Sequence, residues 1–217
     1  MIKSDFHLHT SFSSDSTADM EAMIRRGISL GLEHMCFTEH QDMDFPKLEH
    51  GLDFNLDTAT YREKLLALKD KYKNEIEVLL GVELGLQPHL GGRLAGYASG
   101  FPFDFIIGST HVLEGMDPYE PYYFQKYNTH DGIERYLREQ LLNINEFCGF
   151  DSLGHLDYIV RCAPDRNSYV PADYDELIGQ TLTAVINAGK GLEINTAGLK
   201  YGLSHAHPHI EILKRYK

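Results

Sequence analysis

The stretch IKSDFHLHTSFSSD, residues 2–15, decides the fold. It reads as a strand over residues 2–8 that finishes in His7 and His9. Residues i and i+2 of a strand share a face, so both imidazoles can reach one ion from a single strand. Alone, an HxH pair is weak evidence. Working outward, short apolar runs predict further strands over 33–39, 76–83, 104–110, 151–156 and 190–195. They close on Glu39 and His40, Glu83, His111, His155 and Asn195. Amphipathic stretches predict helices over 18–30, 58–74, 130–148, 173–188 and 207–216, with Ser16 or Thr17 and Asp57 or Thr58 as N-caps. The alternation is that of βα units. Ligand-type residues at six consecutive strand ends favour an α/β barrel over a doubly wound sheet, because every βα loop of a barrel faces one mouth.

Bulk properties bound the rest. A chain of 217 residues with 42% hydrophobic and 24% charged residues is expected to form one domain over 1–217. No apolar run is long enough for a membrane helix, and MIKSDFHLHT lacks the apolar stretch of a secretion signal, so cytoplasm follows by elimination. Cys36, Cys148 and Cys162 form no CxxC pair and read as free thiols. A formal net charge of −12 argues against nucleic acid as partner. An anionic substrate would need bound cations to offset that field. Two long connections stand out, 41–57 and 112–129; the second is rich in tyrosine, and long loops of this kind often cover an active site.

The donor set speaks for its metal. Imidazole with carboxylate suits zinc, manganese or iron better than magnesium or calcium. Glu83 could bridge two ions, and Asp15 is near enough in sequence to return to the same mouth. Bound ions would lower the pKa of water toward neutrality and stabilise charge developing at phosphorus. No cysteine closes a strand beside a histidine, so thiol nucleophilic catalysis is not expected. His34, His50, His89 and His130 read as ordinary histidines, and HAHPH at 205–209 as a loop entering a helix.

At this point the motifs resemble the polymerase-and-histidinol-phosphatase (PHP) superfamily. DFHLHTSFSSD carries the first motif through Asp5, His7, His9 and Asp15, and FTEH the second through Glu39 and His40. GVELG supplies Glu83, GSTH supplies His111, and LGHLD supplies His155 and Asp157. The resemblance spans essentially the whole chain. It implies a distorted (β/α)7 TIM-like barrel holding two to three divalent ions that hydrolyses phosphate esters by a metal-bridged hydroxide, without a side-chain nucleophile. His7 and His9 would ligate one ion, Glu83 would bridge, His111 and His155 would ligate a second, and Asp15 and His40 a third. Within the superfamily the chain is most similar to the histidinol-phosphate phosphatase branch of histidine biosynthesis. There, Arg161 of GHLDYIVRCAP matches an arginine that contacts phosphate. Lys200 of LEINTAGLKYG stands where the branch usually has arginine, keeping the charge and losing the bidentate fork. Glu114 is placed to meet the substrate's ammonium or imidazole.

One departure shapes the alternatives. The superfamily closes its site with a GSDxH-type motif on a last strand, and no such motif occurs in these residues. That leaves the last strand of the expected barrel unaccounted for, to be supplied by a longer chain, a partner chain or a homo-oligomer. The competing readings are a PHP phosphoesterase for another small phosphorylated substrate and a catalytically impaired metal-binding fragment. A metal-dependent amidohydrolase is disfavoured because no lysine closes a predicted strand.

Overall fold

The computed structural model describes residues 2–48 and 51–217; the expectation for His50 lies outside the described residues. The chain divides into two compact units. One is the chain through Gly85 together with Gly96–Ile107, and the other is Leu86–Ala95 together with Gly108–Lys217.

The first unit is built on β1 (Ser4–Leu8), α1 (Met20–Leu30), β2 (His34–Gln41), α2 (Thr58–Tyr72) and β3 (Glu77–Gly85). The strands follow in chain order, β1 beside β2 and β2 beside β3, all parallel. β2 and β3 are buried along almost their whole length, as a parallel sheet covered by helices requires. Helix α1 starts at Asp19, whose carboxylate accepts from the Ala22 amide, and stops at Gly31, whose left-handed φ of 76° sends its N–H back to Gly27 and Ile28. The cap is therefore Asp19 rather than Ser16 or Thr17. Helix α2 is capped by Asp57, as expected, and buries Tyr61, Leu65, Leu68 and Tyr72 along one stripe. Each such side chain contributes about 1.5–3 kcal/mol by leaving water. The Tyr61 hydroxyl shares its proton between the carbonyl oxygens of Phe37 and Gly81, at 2.7 and 3.0 Å, fastening the helix to both inner strands. Gly81 has no room for a side chain, since a Cβ would meet Cys36, Thr38 and the Phe105 carbonyl.

Strand β4 (Phe105–Ser109) begins in the first unit and ends in the second. The second unit continues with α4 (Pro121–Lys126), α5 (Thr129–Glu146), β5 (Ser152–Leu153), α6 (Ile159–Cys162), α7 (Asp175–Asn187), β6 (Gly191–Leu192), α8 (Ala197–Lys200) and α9 (Ile210–Tyr216). The end of β4, β5 and β6 again follow in chain order, with Gly154 N–H on the Gly108 carbonyl and β5 parallel to β6. Helix α5 carries Asn143 and Gln140 inward. Asn143 donates to the Leu86 carbonyl and the Thr110 hydroxyl, and Gln140 donates to the Leu156 carbonyl. These bonds fix the backbone just before His111 and just after His155.

Two expectations are corrected, and one helix forms where none was expected. The strands over 151–156 and 190–195 shrink to two residues each, because the chain turns at once, with the Tyr158 amide on the His155 carbonyl. A helix, α3 (Gly91–Gly100), forms in a glycine-rich stretch with no helical signal, anchored by buried Leu94. Part of the 112–129 connection is helical too, α4 having Pro121 at its first turn, where proline's missing N–H costs nothing. Six strands are found among the described residues, and no helix among them is long and apolar enough to cross a membrane.

Candidate metal centre

In the first unit, three imidazoles gather on one buried oxygen. Glu83, near the end of β3 and fully buried, places its Oε2 3.2 Å from His7 Nε2, 3.3 Å from His9 Nε2 and 3.3 Å from His40 Nδ1. β1 presents His7 at position i and His9, just past its end, at i+2, as strand geometry demands. The His9 and His40 rings stack at 4.4 Å. Asp15 reaches the other side of His40, its Oδ2 3.6 Å from Nε2. Thus His7, His9, His40 and Glu83 come together, with Asp15 beside His40. His7, His9 and Glu83 lie close enough together to hold one ion.

Two further residues complete this cluster. Buried Asp42 sits 3.0 Å from His40 Nδ1, in space that Gly85 leaves open by lacking a side chain. Glu39 turns away from the imidazoles. It accepts from the Thr10 amide and hydroxyl and from the Ser13 hydroxyl, at 2.5–3.1 Å. Ser13 in turn accepts from the His40 amide at 3.0 Å and lies 3.4 Å from His9 Nδ1. A buried carboxylate thus braces the loop after β1, and through it two imidazoles, which is how outer partners orient metal ligands.

The electrostatics follow from this crowding. Burial holds His9 well below its ordinary value, and the neighbouring His40 adds to the effect. Burial also opposes charge on His40, but Glu83, Asp15 and Asp42 outweigh it and raise its pKa well above 6.5. Asp15 is lowered: burial works against its charge, and the hydrogen bond and charge of His40 prevail. Burial raises Glu39 despite its hydroxyl donors. Imidazole nitrogens and carboxylate oxygens packed this tightly, two of the carboxylates fully enclosed, form a donor set that fits a divalent transition ion such as zinc.

The second unit carries the remaining expected residues. His111 and His155, both buried, face each other with their Nε2 atoms 3.5 Å apart. Tyr158 packs against both rings, at 5.7 and 5.1 Å. The His155 amide is held by Glu193, whose other oxygen accepts from Asn195. Arg161 lies over the rings of Tyr158 and Tyr201, 4.1 and 4.4 Å from their centroids. Lys200 ends α8 and is exposed, its ammonium 5.5 Å from the Tyr201 ring. Glu114 stands in a tight turn with φ of 48°. It accepts from Arg135 at 3.1 Å and the Tyr127 hydroxyl at 2.9 Å.

HAHPH divides into two roles. His209 caps α9, accepting from the Glu211 amide, so the helix-entry reading holds there, and α9 starts at Ile210 rather than 207. His207 is fully buried instead, with Nδ1 2.6 Å from Asp157 Oδ1. Asp157 also takes the His209 amide, and the Asn195 and His207 backbones form an antiparallel bridge. The aspartate of LGHLD was the one local hint of this anchor, whose partner lies fifty positions on. A further group, His130, Asp131 and Glu134, lies within ion-binding distance at the exposed start of α5, where clustered acids are common without an ion.

Residues 5–197 match the PHP domain family, and the chain belongs to that family. Within it, the chain is 33% identical over 199 residues to the histidinol-phosphatase of Lactococcus lactis, covering 90% of this chain and 72% of that relative. The crystal structure of the Lactococcus lactis histidinol phosphate phosphatase, complexed with zinc, L-histidinol and phosphate, matches with a TM-score of 0.83. Identity there is 31%, covering 89% of this chain and 73% of that one. A second solved structure, from Listeria monocytogenes, matches with a TM-score of 0.80 at 20% identity, covering 99% of this chain and 90% of that one, and bears on the fold alone. The fold is thus of the α/β, TIM-like class expected from the sequence.

Proposed function

We propose that this chain is a metal-dependent phosphatase that hydrolyses L-histidinol phosphate to L-histidinol and phosphate, in the setting of histidine biosynthesis. The observation that carries the reading is the convergence of His7, His9 and His40 on one buried oxygen of Glu83. A core gains nothing from enclosing a carboxylate under three half-buried imidazoles, and desolvation penalises it. Kinship with the Lactococcus lactis enzyme supplies the substrate.

In this reading His7, His9, Asp15, His40 and Glu83 hold metal in the first unit, and His111 and His155 are metal ligands of the second. Two to three divalent ions are proposed, zinc first, with manganese and iron as alternatives. When bound, such ions supply Lewis acidity and lower the pKa of water. The chain's own groups do the rest. Arg161 and Lys200 bind the phosphate, the first through its planar N–H edge and the second as a point charge. Glu114 takes the substrate's cationic end, exchanging one of its present partners, Arg135, for it. Glu39 and Ser13 keep His9 and His40 in place through the cycle. Water adds to phosphorus, the ester bond breaks, and the alcohol of histidinol leaves with a proton.

The test is specificity. Zinc-loaded protein is expected to release phosphate from histidinol phosphate with kcat/KM at least about 100-fold above that for an aryl phosphate, the scale that charged contacts to the leaving group provide. Equal values on both would reject the substrate, and preference for a nucleotide or sugar phosphate would favour another phosphoesterase of the same family.

A further inference from the structure

Arg161 raises a question that phosphate binding alone does not answer, namely what holds a flexible guanidinium still. Its Nε is buried and has no hydrogen-bond partner, and among the described residues no carboxylate lies within ion-pairing distance of it. The adjacent Cys162 does not supply a counter-charge, because burial pushes its thiol up to about 12. A partly buried cation without an anion calls for one from outside. What the guanidinium has instead is two faces of aromatic ring, Tyr158 at 4.1 Å and Tyr201 at 4.4 Å. Tyr158 is three residues before Arg161, on the turn that opens α6, and is buried. Tyr201 follows α8 directly. The two rings therefore come from separate elements.

With two rings against it, what Arg161 offers a ligand is its N–H edge. That edge is the part that binds a phosphate through two oxygens. Tyr158 also packs against His111 and His155 at 5.7 and 5.1 Å. One ring thus sets the spacing between the guanidinium and the imidazole pair.

We infer that Tyr158 and Tyr201 form an aromatic clamp that fixes Arg161 as the phosphate-binding edge of the second unit, Tyr201 acting as a positioning residue that never touches substrate. The inference rests on Arg161 binding phosphate in the proposed reaction. A free arginine loses side-chain entropy when it binds; a clamped one has lost it already, so affinity rises without a new contact to the ligand. The stack itself adds cation–π attraction.

The experiment measures binding of inorganic phosphate and of L-histidinol to zinc-loaded protein by calorimetry, which needs no turnover. It compares wild type, Tyr201→Leu, Tyr201→Phe, Arg161→Ala and the Arg161→Ala/Tyr201→Leu double variant. Tyr201→Leu is expected to weaken phosphate binding about five- to tenfold, the scale of a partly desolvated cation–π contact, and to leave L-histidinol binding unchanged. Tyr201→Phe, which keeps the ring, recovers most of the loss. In the Arg161→Ala background, Tyr201→Leu adds less than about twofold, since its effect passes through Arg161. If Arg161→Ala weakens phosphate while Tyr201→Leu does not, or if the two losses multiply, the clamp is wrong and the phosphate role stands. If Arg161→Ala leaves phosphate binding unmoved, both fall. If phosphate binds as expected but histidinol phosphate is not hydrolysed, the substrate assignment fails and the clamp stands.

Discussion

The two units carry their functional groups on different kinds of scaffold. In the first, the proposed ligands sit on or beside strands, eight residues long in β2 and nine in β3, and converge on one carboxylate oxygen. In the second, β5 and β6 have two residues each, and His155 and His207 ride on turns and Arg161 on the one-turn helix α6 beyond them. Long, doubly buried strands fix side-chain direction to the pleat, which suits a donor set that must meet at one point. Turns place groups that must be held by something else, and each second-unit residue has such a holder: Glu193 for the His155 backbone, two tyrosine rings for Arg161, Asp157 for His207.

The comparison predicts different failures. The largest is expected at its centre: Glu83→Gln should remove bound metal and lower kcat by more than about 100-fold, because three imidazoles lose their shared carboxylate. Elemental analysis beside kinetics checks this, and full metal content in the variant would break the picture of a Glu83-centred site. Asp157→Ala should fail otherwise. It strands a buried imidazole N–H and a backbone amide, at about 2–3 kcal/mol, so melting should fall by about 5–10 °C, with first-unit metal retained. Loss of metal without loss of stability would reverse the assignment.

A smaller effect sharpens the role of the bracing hydroxyls. Ser13→Ala removes the link between Glu39, His9 and His40, and zinc affinity should drop about 10-fold, near the lower end for outer partners of metal ligands. An unchanged affinity in competition with a chelating dye would reduce Ser13 to loop packing.

The smallest effect is a pH slope. The folded pKa of His40 is raised above 6.5, so its protonated form stabilises the metal-free protein fully below that value. The contribution is lost as pH rises through the folded pKa. The melting temperature of metal-free wild type, relative to His40→Gln, should therefore fall by a few degrees as pH rises above 6.5 and through the raised folded pKa. Zinc affinity should climb over the same range, since the proton must leave before the ring can ligate. A flat difference in melting would place the His40 proton elsewhere.

The same contrast explains what was legible in the sequence. His7, His9, His40 and Glu83 were readable because strand period and strand end are local properties, and the family motifs agreed. Asp42 was missed because β2 runs to Gln41, past the expected end at 39, so the residue looked like loop. The hydroxyls of Thr10 and Ser13 were hidden because their partner, Glu39, lies in another strand. In the second unit the expected strands dissolved into turns, and the partners that replace them are distant in sequence: Tyr201 for Arg161, His207 for Asp157. Helix α3 was invisible because its glycines disfavour a helix that burial of Leu94 and tertiary packing impose.

The most direct test of the central claim is to strip the protein of metal, verify this by elemental analysis, and titrate zinc back while following phosphate release from L-histidinol phosphate. Turnover is expected to be lost in the stripped protein, to return in step with bound zinc, and not to return in Glu83→Gln. Undiminished turnover by protein shown to be metal-free would contradict the account.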